Sequence, residues 1–276
     1  MSGEHFGTTD PDIILRSADG QEFHVHKTML SIASPVFQDM FTLPQPPSPE
    51  LSSIPVIDMC EAGNILDVFL RCLYPTSKMT VEDFGLLEAL IAAAEKYETG
   101  LVLDMVKSWL VTPENLGRDP LRAYVIACTS TGFDEQAKVA AKSTSFDMVV
   151  NLTCLNTIAP LTALDLHRLI AYLAKREKEA RRVVDEPSWT MFYTPRCACK
   201  TEAKTEFQKE INKVLLDAFL SNPSLTTEKA VVLACKQLAK VRPCDFNQKC
   251  SLVTQGEDYA EELVQKLVQM SDKLLW

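Results

Sequence analysis

Four cysteines near the end of the chain are the residues that come nearest to a metal site. Cys197 and Cys199 are separated by one residue, and Cys244 and Cys250 follow later. Four thiolates can hold Zn²⁺ in a tetrahedron, but structural sites usually leave about two to four residues between paired cysteines. Neither pair has that spacing. We therefore favour reduced thiols near a loop over a zinc site, and we predict no metal and no other cofactor.

The motifs that usually mark a catalytic site are absent from the sequence. It has no Gly-rich phosphate loop, no G-x-S-x-G and no pair of histidines at metal-binding spacing on a helix. Its four histidines are dispersed: His5 lies in a polar segment, His24 and His26 on a predicted hairpin, and His167 alone on a predicted helix. We therefore predict no catalytic residues, no small-molecule substrate and no enzyme activity.

The overall charge limits the classes of partner. The chain carries 37 acidic and 28 basic residues, for a net charge of -9, and such a chain repels a phosphate backbone. We expect no direct contact with nucleic acid. No apolar run approaches the roughly 20 residues that cross a bilayer, and the first residues do not resemble a signal peptide. We expect no membrane association and a cytoplasmic or nuclear location.

Cysteine usage supports that expectation. The chain has nine cysteines, an odd number that argues against a disulfide framework. The other five lie in apolar helical patterns, where a cysteine behaves as a small buried hydrophobic residue. They are Cys60, Cys72, Cys128, Cys154 and Cys235.

Residue patterns in the first hundred residues predict strands followed by helices. Asp12 to Val25 reads as a hairpin that turns at Asp19-Gly20, because glycine reaches positive φ at little cost. A third strand is predicted at Ile54 to Asp58. Ser34-Pro35 predicts a helix start, with Ser at the N-cap and Pro in the first turn. Thr80 with Asp83 resembles a capping box and predicts another helix start. From about residue 113 onward, only helical patterns remain. They include starts at Asp119-Pro120 and at Thr162 with Asp165, the latter of a long helix, and a helix at 226–240.

Six short stretches of the N-terminal segment match a known family pattern in the right order. They are Asp12-Ile13-Ile14-Leu15, Phe23-His24-Val25-His26-Lys27, Ser34-Pro35-Val36-Phe37, Met40-Phe41, Leu70-Arg71-Cys72-Leu73-Tyr74 and Ala92-Ala93-Ala94-Glu95-Lys96-Tyr97. With them the segment resembles a BTB/POZ domain, and its S-P-V-F-x-D-M-F stretch is similar to BTB proteins of filamentous and mushroom-forming fungi. The resemblance implies an α+β fold, in which a small three-stranded sheet with flanking helices is followed by an all-α extension.

The predicted organisation has three parts: a BTB/POZ domain at 10–111, a BACK-like helical extension at 112–184 and a C-terminal helical region at 185–276. A Pro-containing linker is expected at 186–203. Within the extension, Lys175 to Arg182 is a dense charge run. Glu177 and Glu179 alternate with its basic residues, so a solvated helix face is favoured over a nuclear-localisation or partner-binding patch.

Four residues are the candidates for partner binding: His26, Lys27, Met40 and Tyr74. His26 and Lys27 suit either a polar groove or a strand-to-helix junction with local hydrogen bonds. Met40 suits either an interface or the core, since methionine is enriched at interfaces. Phe37 and Phe41 are expected in the core.

The function that the resemblance implies is protein–protein interaction, with a second copy of the chain or with another protein. The alternatives are a substrate adaptor of a cullin-type ubiquitin ligase and a BTB-type transcriptional co-regulator. Two departures bear on them. Only eleven residues, most of them polar, precede Asp12, which disfavours a dimer that exchanges an N-terminal helix. The hydrophobic-x-Glu motif of many cullin adaptors is replaced by Leu43-Pro44-Gln45.

Overall fold

The computed structural model describes residues 4–5, 10–43, 54–74, 79–151, 155–185, 201–221 and 251–274. The chain divides into two compact units, Met1–Asn115 and Leu116–Trp276. The first unit combines a small sheet with flanking helices, and a helical region follows it. The predicted fold class is thereby confirmed.

The sheet of the first unit contains the three predicted strands and one short additional strand. Its order is β1-β3-β2-β4, where β1 is Glu4–His5, β2 is Ile13–Arg16, β3 is Glu22–Val25 and β4 is Val56–Asp58. Strand β2 pairs antiparallel with β3 and parallel with β4, whereas β1 pairs parallel with β3. We expected a polar tail around His5 and missed β1. Its pairing is made by the backbone, which the side-chain pattern of a two-residue strand does not reveal.

The hairpin turn forms as the sequence predicts. Gly20 adopts a φ of 82°, in the left-handed region that favours glycine. The Ser17 hydroxyl oxygen accepts the backbone N–H of Gln21 at 2.9 Å. The Asp19 carboxylate accepts the backbone N–H of Gly63 at 2.8 Å. The turn is thus attached to the first residue of the helix that follows β4.

The helices of the first unit begin at side-chain caps where the sequence supplies them. Ser34 accepts the backbone N–H of Phe37, and Asp83 accepts that of Leu86, so each satisfies an amide that a helix start leaves open. The pattern of Thr80 and Asp83 predicts the second of these helix starts at Thr80, three residues before the cap that the structure shows at Asp83. The helices are α1 Lys27–Ala33, α2 Pro35–Thr42, α3 Gly63–Leu73, α4 Phe84–Lys96 and α5 Gly100–Leu110.

The core of the first unit lies between the sheet and these helices. Strands β2 and β3 turn alternate side chains inward, as a half-buried strand should. The most deeply buried apolar residues include Ile13, Leu15, Phe23, Val25, Leu30, Phe37, Leu66, Phe69, Leu70, Leu87 and Leu90.

Helix α6, Pro113–Arg118, contains the boundary between the units. Among the described residues of the second unit, the regular elements are all helices. Asp119 caps the first helix through the backbone N–H of Arg122, and Thr162 accepts the N–H of Asp165 at the start of the longest predicted helix. Both starts were predicted. The helices are α7 Pro120–Thr129, α8 Asp134–Ser143, α9 Phe146–Val150, α10 Leu155–Ile158, α11 Ala163–Asp185, α12 Thr201–Ser221 and α13 Ser251–Lys273.

Helices α11, α12 and α13 share one apolar core. Ala180 and Val184 of α11 pack with α12 and α13 around it. The remaining members are Ile211, Leu215, Leu216, Phe219, Tyr259, Ala260, Leu263, Val264 and Leu267. The predicted helix at 226–240, most of the predicted linker and Cys197, Cys199, Cys244 and Cys250 lie outside the described residues. The subdivision of the helical part at residue 184 stays a prediction.

The charge run in α11 is a solvated face with one exception. Glu177 pairs with Arg181 at 2.7 Å, and Glu179 lies 3.7 Å from Arg182, the helical spacings that were expected. Arg176, however, is only 1% exposed, and its guanidinium donates to the carbonyls of Lys142 and Thr144. The expectation was wrong for this residue, because one position of the run turns toward the end of α8.

None of the helices within the described parts of the chain combines the length and the apolarity that a bilayer crossing requires.

Candidate protein-interaction surface

His26 stands at the junction where β3 ends and α1 begins. Its backbone N–H donates to the Tyr74 hydroxyl oxygen at 2.9 Å, and its Nδ1 lies 3.3 Å from the same oxygen. The two ring centroids are 6.1 Å apart. Tyr74 directly follows α3 and is 8% exposed, and its burial raises the pKa of the phenol. Two of the predicted site residues, distant in sequence, are therefore neighbours.

Lys27 belongs to the same junction through its backbone. It is the first residue of α1, and its N–H donates to the Asp12 carboxylate at 2.7 Å. Asp12 precedes β2, so the contact joins the start of the helix to the entrance of the hairpin. The fourth predicted residue, Met40, lies elsewhere, on α2, where it is half-buried.

Helix α2 is anchored by aromatic packing beneath it. The Phe37 ring lies 4.8 Å from that of Tyr97, and Phe69 meets Tyr97 edge-on at 5.6 Å. The hydroxyl of Ser34 donates to the Tyr97 carbonyl oxygen at 2.5 Å while it caps α2. The core assignment of Phe37 is confirmed, whereas Phe41, at the other end of the helix, is half-buried.

Two apolar residues of this helix pair and its exit stay exposed. Ile32 of α1 is 79% exposed, and Leu43, directly after α2, is 63% exposed. We use the name α1–α2 surface for Ile32, Leu43 and the half-buried Met40. Folding leaves these side chains in water, although burial of a residue such as Ile or Leu is worth about 1.5–3 kcal/mol.

The sequence pattern did not predict the exposure of Ile32, because it does not distinguish this residue from the other apolar residues of α1. A signal was available. Leu30 is fully buried, and a position two residues further along a helix points about 200° away from it. Once Leu30 faces the core, Ile32 must face outward.

A second polar cluster connects the loop after β4 to the end of α4. The Tyr97 hydroxyl donates to Glu61 Oε2 at 2.7 Å, and Lys96 Nζ donates to Oε1 at 2.8 Å. Burial, the largest single effect, would raise the pKa of Glu61, but these two hydrogen bonds, a backbone hydrogen bond and the charge of Lys96 together lower the pKa. Lys96 also lies 4.7 Å from the centroid of the Tyr97 ring. The carboxylate is engaged on both oxygens, which suits a structural connection.

The described cysteines differ from one another in exposure. Cys72 is buried, and its burial raises the pKa of the thiol to about 12, while Cys128 is half-buried. Cys60 is exposed, so its expected burial was wrong: it lies in the bend after edge strand β4 instead of in a helix. Among the residues that the structure describes, no group of three or more His, Cys, Asp or Glu side chains could hold a metal ion.

Comparison with known proteins agrees with this geometry. The family model described as the BTB/POZ domain matches residues 6–113. That range contains the hairpin, the α1–α2 pair, the His26–Tyr74 junction and the Glu61–Tyr97 connection. No curated protein matches the chain. A BTB/POZ domain is thus found at residues 6–113, within the first unit.

Proposed function

We propose that this chain is a non-catalytic interaction protein whose α1–α2 surface binds a second copy of the chain or another protein. BTB/POZ domains are protein–protein interaction modules and are generally not enzymes. The observation that carries the proposal is the 79% exposure of Ile32 on α1. The neighbouring helix α2 is held in place because its Phe37 packs against Tyr97. Exposed apolar residues grouped on one part of a surface are typical of binding sites.

The four residues predicted from the sequence take different parts in this proposal. Met40 contributes directly to the α1–α2 surface. His26 and Lys27, both half-buried, contribute polar atoms at the start of α1. Tyr74 is too deeply buried to offer much contact area, so it acts by holding the backbone of His26 in place.

Light scattering of the purified chain tests the proposal. The double variant Ile32→Glu, Leu43→Glu places charges on the proposed interface, where an unpaired charge is costly to bury. We expect it to convert a self-associated wild type to a monomer with unchanged circular dichroism. Leu101→Glu is the matched control, because Leu101 of α5 is also exposed, at 53%.

If the wild type is monomeric, proteins cross-linked to it in cells and identified by mass spectrometry replace scattering as the readout. The double variant should then lose partners that Leu101→Glu retains. Unchanged association or unchanged partners in the double variant would refute the assignment of the surface.

A cullin-ligase substrate adaptor is the more specific version of this function. The two-unit organisation supports it, since one unit could hold the ligase and the other a substrate. The sequence offers Leu43-Pro44-Gln45 where many adaptors have a glutamate, and Pro44 and Gln45 lie outside the described residues. A pull-down with a purified cullin tests it, and no capture above background would remove this version.

A BTB-type transcriptional co-regulator is the second alternative. With a net charge of -9 the chain would require a partner to reach DNA. Localisation of a tagged protein separates the alternatives, because exclusion from the nucleus contradicts a co-regulator and leaves a cytoplasmic adaptor. From the S-P-V-F-x-D-M-F stretch we also propose that the chain is similar to fungal BTB proteins. From its composition we propose a cytoplasmic or nuclear location.

A further inference from the structure

The second unit has a surface groove between helices α11 and α13. Its floor is apolar and its rim carries lysines. We call it the lysine groove and define it by Lys175 and Val183 of α11, by Lys266, Met270 and Lys273 of α13, and by Leu274, which directly follows α13. On each helix these residues are separated by intervals of about one or two turns, so each set lies along one face.

The floor of the groove is the edge of the second unit's core. Val183 and Met270 pack against the buried cluster that α11, α12 and α13 share, and both are half-buried. They present apolar atoms to the solvent side while their inner atoms contact the core. A ligand that covers the groove would extend an existing apolar cluster, which is how interfaces gain stability from burial.

The rim of the groove is basic although the chain as a whole is acidic. Three lysines line it against a single carboxylate, Glu179, which lies 3.7 Å from Arg182. Lys266 pairs with Glu262 at 3.2 Å. Lys175 and Lys273 are exposed and form no ion pair with any residue in the described ranges. Two positive charges therefore flank an apolar floor in a chain of net charge -9.

We propose that the lysine groove binds an acidic amphipathic segment of a partner protein. Apolar side chains of that segment would cover Val183, Met270 and Leu274, while its carboxylates would face Lys175 and Lys273. The apolar floor favours a peptide over nucleic acid or polyphosphate, because a phosphate backbone has no groups to bury there. This inference is independent of the α1–α2 surface, since its residues all belong to the second unit.

A synthetic helical peptide with Leu along one face and Glu along both flanks is the probe, titrated against the full chain by fluorescence anisotropy. We expect saturable binding that weakens with added salt, as screening of exposed charges requires. The affinity of the variant Lys175→Glu, Lys273→Glu for this peptide should be on the order of tenfold lower than that of the wild type. Both lysines are exposed, so circular dichroism should not change.

The matched control is Lys178→Glu, Lys209→Glu, which makes the same change in net charge at exposed positions outside the groove lining. It should retain wild-type affinity for the peptide. A second variant, Met270→Ser, tests the floor and should weaken binding without altering the charge.

Three results would overturn the proposal. The first is no binding of the peptide to the wild-type chain. The second is equal weakening by the two charge-reversal pairs, which would indicate a general charge effect. The third is equal affinity for a Glu peptide without Leu or for heparin, which would indicate a nonspecific anion patch.

Discussion

The hydroxyl oxygen of Tyr74 accepts the backbone N–H of His26 at 2.9 Å. This contact fastens the end of α3 to the residue where β3 turns into α1. A single side chain thereby fixes the entry of the helix pair that carries the α1–α2 surface. The relationship connects the stability of the domain to the geometry of its proposed interface.

Substitution of Tyr74 by Phe should destabilise the first unit by about 1–2 kcal/mol, because the amide of His26 loses its acceptor. Urea unfolding measures the change. Thr28→Val in α1 is the control, since Thr28 is exposed, and it should lie within about 0.5 kcal/mol of wild type. Equal stability of Tyr74→Phe and wild type would show that water replaces the hydroxyl without cost.

Alkaline pH should destabilise the BTB/POZ domain through Tyr97. Burial raises the pKa of this phenol from an ordinary value of 10.0 to about 12. The folded state therefore holds the proton more tightly than the unfolded state. Its stabilising contribution is complete below a pH of about 10 and is lost as the pH rises toward about 12.

The measurement is the urea midpoint between neutral and alkaline pH, in wild type and in Tyr97→Phe. The midpoint should fall with pH in both, because other groups also titrate, but less steeply in the variant. Parallel slopes would mean that Tyr97 makes no such contribution.

Substitution of Asn115, the last residue of the first unit, should lower the free energy of unfolding. It is fully buried, and its Nδ2 donates to the carbonyls of Val81 and Trp109 at 3.0 and 2.8 Å. Asn115→Asp replaces this donor with an acceptor that faces two carbonyls, which should cost about 2–4 kcal/mol in thermal or urea unfolding. Asn64→Asp is the matched control: it is exposed in the first turn of α3, where a negative charge is favourable. A similar loss in both variants would contradict this interpretation.

Arg176 should contribute strongly to the second unit. It donates to the carbonyls of Lys142 and Thr144 at 3.0 and 2.9 Å, at the end of α8. Arg176→Ala leaves both carbonyls without this donor and creates a cavity, so we expect a loss of about 2–4 kcal/mol. Arg181→Ala, on the same helix but 57% exposed, should cost no more than about 1 kcal/mol. Equal effects of the two substitutions in urea unfolding would argue against a structural role for Arg176.

Local features of the fold were predictable from residue types. Gly20 marked the hairpin, and Ser34, Asp119 and Thr162 marked helix starts, because each satisfies a nearby backbone requirement with its own atoms. The strand-to-helix junction was one of two interpretations of His26, but the hydrogen bond observed there is not local, since its acceptor lies 48 residues away. Its partner, Tyr74, was singled out only by family resemblance.

Other features depend on residues that are remote in sequence. Ser34 was identified as a cap, but its bond to the Tyr97 carbonyl requires α4 to pack against α2. Arg176 looked like one more solvated charge until α8 placed two carbonyls beside it. Ile32 is one of three large apolar residues of its helix in the sequence, and only the burial of Leu30 shows that Ile32 faces outward.

Residue types and their order were enough to predict the hairpin, the third strand, the helix starts at Ser34, Asp119 and Thr162, the family that the first unit resembles and the acidity of the chain. The local elements follow from each residue's conformational preference and from periodicity along the chain. Packing settles which apolar residues stay exposed, which lysines flank the groove between α11 and α13, and which charge is buried. Exposure and pairing depend on distances between elements, and a linear pattern does not contain those distances until packing brings the elements together.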